Sequence, residues 1–281
     1  MRWRSGLGGL VAAALLVGAC ATGAEPAGEA APSSSTPTMV AGRQTQEGAQ
    51  APGAILLASS FEGAVCGRWR RPKAGCEFGV EGGVEAGPFG PRTGVQAVRI
   101  DRTSPNHMGV IADLPLPEGR AFIGVAHRVP AFSPAAIPPD PGHLQLEQLS
   151  VTDGELPGMA LEVRLYPDRR LGLGLFRDDA VTMAEWAVPE DEWFYVVVEV
   201  ANGAAATQRM WVFDEADQLK AQVEVALETR QSWAHEGRTA QKVGGSTASL
   251  EPLFTYADDW YVATELLGPL RIGEDGEPIS S

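Results

Sequence analysis

Between Met159 and Leu175 the chain alternates with a period of two, which sets it against the 3.6-residue stripe of a helix. Met159, Leu161, Val163 and Leu165 are apolar, and Ala160, Glu162, Arg164 and Tyr166 stand between them. Leu171, Leu173 and Leu175 resume the pattern beyond the polar turn Pro167-Asp168-Arg169-Arg170. Neighbouring strand residues point to opposite faces, so this pattern predicts a hairpin with one apolar face. Residues 193–200 read Trp-Phe-Tyr-Val-Val-Val-Glu-Val, a β-branched and aromatic run suited to a central strand. Residues 208–213 and 219–225 form a further pair around Asp214-Glu215-Ala216-Asp217. More strands are expected at 55–61, 95–101, 108–113, 120–129, 143–151, 181–188 and 258–265, and no segment carries a sustained helical stripe. Many short strands separated by turn signals predict an all-β domain of two packed antiparallel sheets.

The first residues carry a different signal. Arg2 and Arg4 precede an apolar stretch from Leu7 to Val17, the layout of an export signal rather than a spanning helix. Val17-Gly18-Ala19-Cys20 resembles the lipobox of bacterial lipoproteins. That resemblance implies a signal peptide over 1–19 and a lipidated Cys20 at the mature N-terminus; the alternative is an ordinary secretory signal that contains a cysteine. Stable anchoring takes more than one lipid chain, and the resemblance implies a diacylglyceryl group with an amine-linked third chain. Ala21 is compatible with the outer membrane or cell surface. Residues 20–52, dominated by Ala, Gly, Pro, Ser, Thr, Glu and Gln, cannot bury enough apolar surface to offset ordering entropy, and read as a spacer.

The expected domain runs over 53–270, with 271–281 as a flexible tail. The formal charge of −14 becomes −16 once Arg2 and Arg4 leave with the signal. Such a chain repels phosphate backbones, which argues against nucleic acid as a partner, and it suits a highly anionic polysaccharide poorly. With Cys20 taken by lipid, Cys66 and Cys76 are an even pair outside the cytoplasm, and a disulfide between them is expected. A zinc site is the alternative, but two cysteines without a neighbouring histidine are too few ligands.

Several blocks, in order, resemble one superfamily. Ser60-Phe61-Glu62-Gly63 opens the domain, followed by Trp69 and by Gly94-Val95-Gln96-Ala97-Val98-Arg99. Ile123 to Pro130, Glu147-Gln148-Leu149-Ser150, Gly154, Pro157, Trp186, Trp193 and Tyr256 to Ala263 come next. Together they resemble the concanavalin A-like jelly rolls of laminin-G-type domains and secreted polysaccharide lyases. The resemblance implies a jelly-roll sandwich whose concave sheet forms a carbohydrate groove in sugar-active relatives. It also implies a structural calcium ion near Glu62, Asp258 and Asp259, hard oxygen donors on terminal strands; the alternative is a solvated strand edge.

Lyases of this group carry Gln-x-His before a Pro turn, and the matching positions here are Gln148-Leu149-Ser150. Serine does not act as a base near neutral pH without an activating partner. No strand carries the paired acids of a glycosidase. The resemblance therefore implies a binding domain without catalysis; a divergent lyase or glycosidase, or a structural or protein-binding envelope role, are the alternatives. The candidate ligand row is His143, Gln145 and Glu147 on one strand face beside Glu162, Arg164 and Tyr166 from the next. Hydrogen-bonding groups beside an aromatic suit sugar hydroxyls, although the same row also reads as an ordinary solvent face. Trp186, Trp193, Trp211 and Trp260 lie in apolar strand runs and are expected in the core. Residues 228–249 lack a strand period, which makes that loop, with Trp233, a further ligand candidate. The expected partner is a polysaccharide or another envelope component.

Overall fold

The computed structural model describes residues 55–62, 65–68, 78–81, 83–103, 108–114, 120–152, 157–175, 181–201, 207–226, 238–245 and 247–279. All of them belong to the second of two units, Gly48–Ser281. Cys20, Cys76 and Trp233 lie outside the described residues, and with them the expected lipidation, the Cys66–Cys76 pairing and the tryptophan loop.

In chain order the strands are β1 (Ile55–Ser59), β2 (Val65–Arg68), β3 (Phe78–Glu81), β4 (Val84–Gly87), β5 (Ala97–Asp101), β6 (Met108–Leu114), β7 (Arg120–Arg128) and β8 (Leu144–Thr152). They continue as β9 (Pro157–Leu165), β10 (Arg170–Leu175), β11 (Val181–Ala187), β12 (Trp193–Ala201), β13 (Thr207–Phe213), β14 (Leu219–Ala226), β15 (Arg238–Gly245) and β16 (Phe254–Ala263). A single 3-10 turn, Pro134–Ala136, is the only helical element among the described residues. Sheet A runs β14-β13-β12-β7-β16-β5-β4, with β1 also paired to β16. Sheet B runs β11-β10-β9-β8-β15-β6-β3-β2. Every pairing is antiparallel except the edge pair β2–β3. The expected all-β, two-sheet jelly-roll sandwich is the fold observed.

The core lies between the sheets. Leu146, Leu161, Val163 and Leu173 of sheet B meet Val125, Val196, Val198 and Val262 of sheet A, all of them buried. Sheet A also has an apolar outer face, where Phe122, Trp193, Tyr195, Trp211 and Tyr261 form a second cluster with Leu267 and Leu270 packed on it. Trp193 and Trp211 are therefore buried, as expected of strand tryptophans, but on the far side of sheet A from the main core.

Three expectations are corrected. Arg238–Gly245, read as part of an irregular loop, is a central strand of sheet B between β6 and β8. Its apolar period is broken because Gln241, a polar residue, occupies an inward position opposite Leu149. The segment 271–279, read as a flexible tail, is held against the domain: Ile272 is fully buried, bridges to Pro278 and donates its N–H to Asp259 Oδ1 at 2.8 Å. Glu147 does not share a face with Gln145. The register of β8 shifts between these two residues, pairing Gln145 with Arg164 and Glu147 with Val163. The extra residue turns Glu147 toward the core.

Candidate functional site

The outward face of sheet B carries most of the expected row. Gln145 and Glu162 come from β8 and β9, Arg164 follows two residues after Glu162, and His143 and Tyr166 stand just beyond the strand ends. Glu162 is the hub. It accepts a short hydrogen bond from Gln145 Nε2 and one from Arg164 Nε at 3.0 Å, and His143 Nε2 lies 3.8 Å away. The His143 Nδ1–H donates to the Pro141 carbonyl at 3.1 Å, which turns Nε2 toward Glu162. Arg164 Nη2 donates to the Leu175 carbonyl at 2.7 Å. The His143 and Tyr166 rings sit 5.7 Å apart and tilted.

These long side chains lie flat because glycines clear the neighbouring strands. A Cβ on Gly174 would stand 3.0 Å from Arg164 Cζ and 2.4 Å from Val181, and one on Gly172 would stand 2.9 Å from the Tyr166 ring. A Cβ on Gly245 would fall 2.2 Å from Gln145 Cβ. The bed is consequently closely packed: Glu162 is 1% exposed and Arg164 6%, while Tyr166 and Gln148 are half-buried. Ser150 stands in register opposite Ala160 on one side and Ala240 on the other, neither of them an acid or a base.

Glu147 belongs to a different network, inside the sandwich. Its carboxylate meets His127 Nε2 of sheet A at 2.9 Å and accepts from Gln241 Nε2 at 2.9 Å. Gln241 Oε1 in turn accepts from the Trp260 indole at 2.5 Å. This chain of hydrogen bonds crosses between the sheets and satisfies polar groups that would be costly to bury alone. His127 lay in the Ile123 to Pro130 block and Gln241 in the 228–249 loop candidate, but nothing in the sequence tied either of them to Glu147.

The acids expected to hold calcium have other partners. Asp259 sits at a register shift of β16 with φ +45, a conformation Asp tolerates better than most residues. Asp258 Oδ2 accepts from the Arg92 and Thr93 N–H groups at 2.7 and 3.1 Å, and its Oδ1 from the Asp259 N–H at 2.8 Å. Asp259 Oδ2 meets Arg92 Nη1 at 2.9 Å and the Thr93 hydroxyl at 2.8 Å. Glu62 Oε1 accepts from the Val95 and Gln96 N–H groups at 2.6 and 2.9 Å. Among the described residues no three His, Cys, Asp or Glu side chains come together as a metal-ligand group. Backbone N–H groups thus bond Asp258 and Glu62 Oε1, and the Arg92 guanidinium pairs with Asp259. Burial and the neighbouring Asp259 charge push the Asp258 carboxyl up to about 8, and burial also raises Asp259.

No protein-family model matches the chain, and no curated protein matches it. Solved structures with a similar course include an alginate lyase from Aplysia kurodai, at 13% identity and a TM-score of 0.47, covering 66% of this chain and 87% of that one. An endo-β-1,4-glucuronan lyase from Trichoderma reesei aligns at 13% identity and a TM-score of 0.44, covering 66% and 88%. Lectin I from Ulex europaeus, solved with a methyl glycoside of α-L-fucose, aligns at 12% identity and a TM-score of 0.46, covering 74% and 97%.

Proposed function

We propose that this domain is a non-catalytic carbohydrate-binding module, tethered outside the bacterial cytoplasm through a lipid on Cys20, whose ligand meets the outward face of sheet B. The observation that carries this reading is the bed around Glu162, where a carboxylate, an amide, a guanidinium, an imidazole and a phenol ring converge on one sheet face. Mixed donors and acceptors beside an aromatic are what a sugar ring requires. The ligand approaches over the half-buried Tyr166 and Gln148. The non-catalytic reading is supported by Glu162 being held by Gln145 and Arg164 and by serine standing at position 150, where lyase-like relatives carry a histidine.

A glycan array probed with residues 21–281, with and without calcium, tests the reading. Binding to a defined glycan class that Tyr166→Phe weakens several-fold is the expected result. Uniform absence of binding moves the domain to a structural or protein-binding envelope role. Release of unsaturated uronates from an acidic polysaccharide would make it a lyase instead.

A further inference from the structure

Leu144, Leu146 and Leu149 of β8 all lie in the core, a spacing that strict alternation does not allow. The period of two must break once between Leu146 and Leu149, and either of two residues can take the extra inward place. In one register Glu147 turns in and Gln148 turns out. In the other, Gln148 turns in and Glu147 stands outside, directly opposite Glu162. Both registers keep the three leucines inward, so the leucines do not choose between them. The structure holds the first: Glu147 pairs with Val163, and Gln148 with Glu162. Ahead of the break the strand is fixed separately, because Nη2 of the fully buried Arg102 donates to the Gln145 carbonyl at 2.6 Å.

The choice is made inside the sandwich. An indole N–H only donates, so the Trp260 bond to Gln241 Oε1 aims the Gln241 amide N–H at position 147, where an acceptor is required. His127 Nε2 meets the same carboxylate from sheet A at 2.9 Å. Two carboxylate oxygens accept from both neighbours, whereas a glutamine amide accepts from one and brings its own N–H groups to the other. The rejected register also sets two carboxylates opposite each other on the outer face, which is unfavourable. We propose that Glu147 is a positioning residue for the glycan bed: held inward by His127 and Gln241, it fixes the break in β8 and so presents the Gln148 amide, not a second carboxylate, beside Glu162. The row across the outer face is then Lys242 of β15, Gln148 of β8 and Glu162 of β9. The use of that row rests on the glycan reading of the face; the choice of register does not.

The test exchanges the two residues in the full chain, Glu147→Gln together with Gln148→Glu. The expected result is that the carboxylate follows His127 and Gln241: position 148 turns inward and position 147 comes opposite Glu162, read from backbone cross-strand contacts in NMR spectra or from a crystal structure. Position 148 remaining opposite Glu162 overturns the proposal. If the exchanged chain does not fold, Glu147→Gln alone decides, since it leaves amides at both positions. Doubled or displaced β8 amide contacts are expected there, and a single register with Gln148 still opposite Glu162 overturns the proposal. Glycan binding by the exchanged chain should stay close to wild type, because an amide again stands beside Glu162; loss of binding with the register moved would overturn the positioning role. A blank array with the wild-type chain would remove the glycan reading and leave the pairing result to judge the register.

Discussion

The two outer faces of the sandwich solve the same problem in opposite ways. Outside sheet A, Tyr195 and Tyr261 stack 6.2 Å apart over Gly124, where a Cβ would stand 2.3 Å from the Tyr261 ring. The chain itself covers that face: Leu267 and Leu270 pack on it, the Tyr261 hydroxyl donates to Gly268 and Arg92 Nη1 donates to Leu270. Outside sheet B, glycines also clear the floor, but the side chains laid over them are polar and bond to one another around Glu162. An aromatic face has to be sealed because water cannot satisfy it. A polar face closes by internal pairing, and those same pairs can be exchanged for the hydroxyls of a ligand. On the proposed function, stability belongs to one outer face and recognition to the other.

The contrast breaks most clearly at Arg92. Arg92→Ala removes the guanidinium from the buried Asp258–Asp259 pair and should cost about 3–5 kcal/mol in denaturant unfolding. If the loss is under about 1 kcal/mol, as for a surface ion pair, the seal on sheet A is not electrostatic. The same pair should make stability depend on pH. An acid raised from 3.8 to about 8 favours the fold fully below its unfolded value, and that contribution is lost as pH rises through about 8. Melting temperature should therefore fall between about pH 5 and pH 9, and Asp258→Asn should flatten that slope. A flat wild-type profile would mean that the acids are ionised throughout.

On sheet B the effects should be smaller. Gly174→Ala forces Arg164 and Val181 aside and should cost about 1–3 kcal/mol, together with glycan binding. Tyr166→Phe should change stability by less than about 0.5 kcal/mol while weakening glycan binding several-fold, and a loss of stability without a loss of binding would contradict the division of labour. Smallest of all, EDTA followed by calcium should leave the melting temperature unchanged. A rise with calcium would show that the acids near Glu62 yield their backbone partners to a metal.

The hairpin of β9 and β10 was readable because Leu161, Val163 and Leu165 alternate with Glu162 and Arg164, and that alternation alone placed two members of the bed on one face. Glu147 was misplaced for a physical reason. One extra residue in β8 reverses every side chain beyond it, and a bulge leaves no mark in composition. β15 was invisible because its inward Gln241 is tolerated only when Glu147 and Trp260 are present to bond it. The alternating glycines of Leu171-Gly172-Leu173-Gly174-Leu175 were the one available hint that neighbouring side chains lie flat. Arg92 and Arg102 gave no signal, since an isolated arginine in a polar loop is ordinary until its burial is known.

By itself, the sequence determined the period of the strands, the all-β class and the polar row of β9, because these follow from which residues alternate along a single segment. Only the tertiary structure decided which outer face is sealed and which is polar, that Arg92 faces the Asp258–Asp259 pair, and that Arg102 is buried with no acid paired to it among the described residues. Each of these depends on residues far apart in the chain meeting across strands, and a side chain's charge, burial and partners are properties of that meeting rather than of its own position in the sequence.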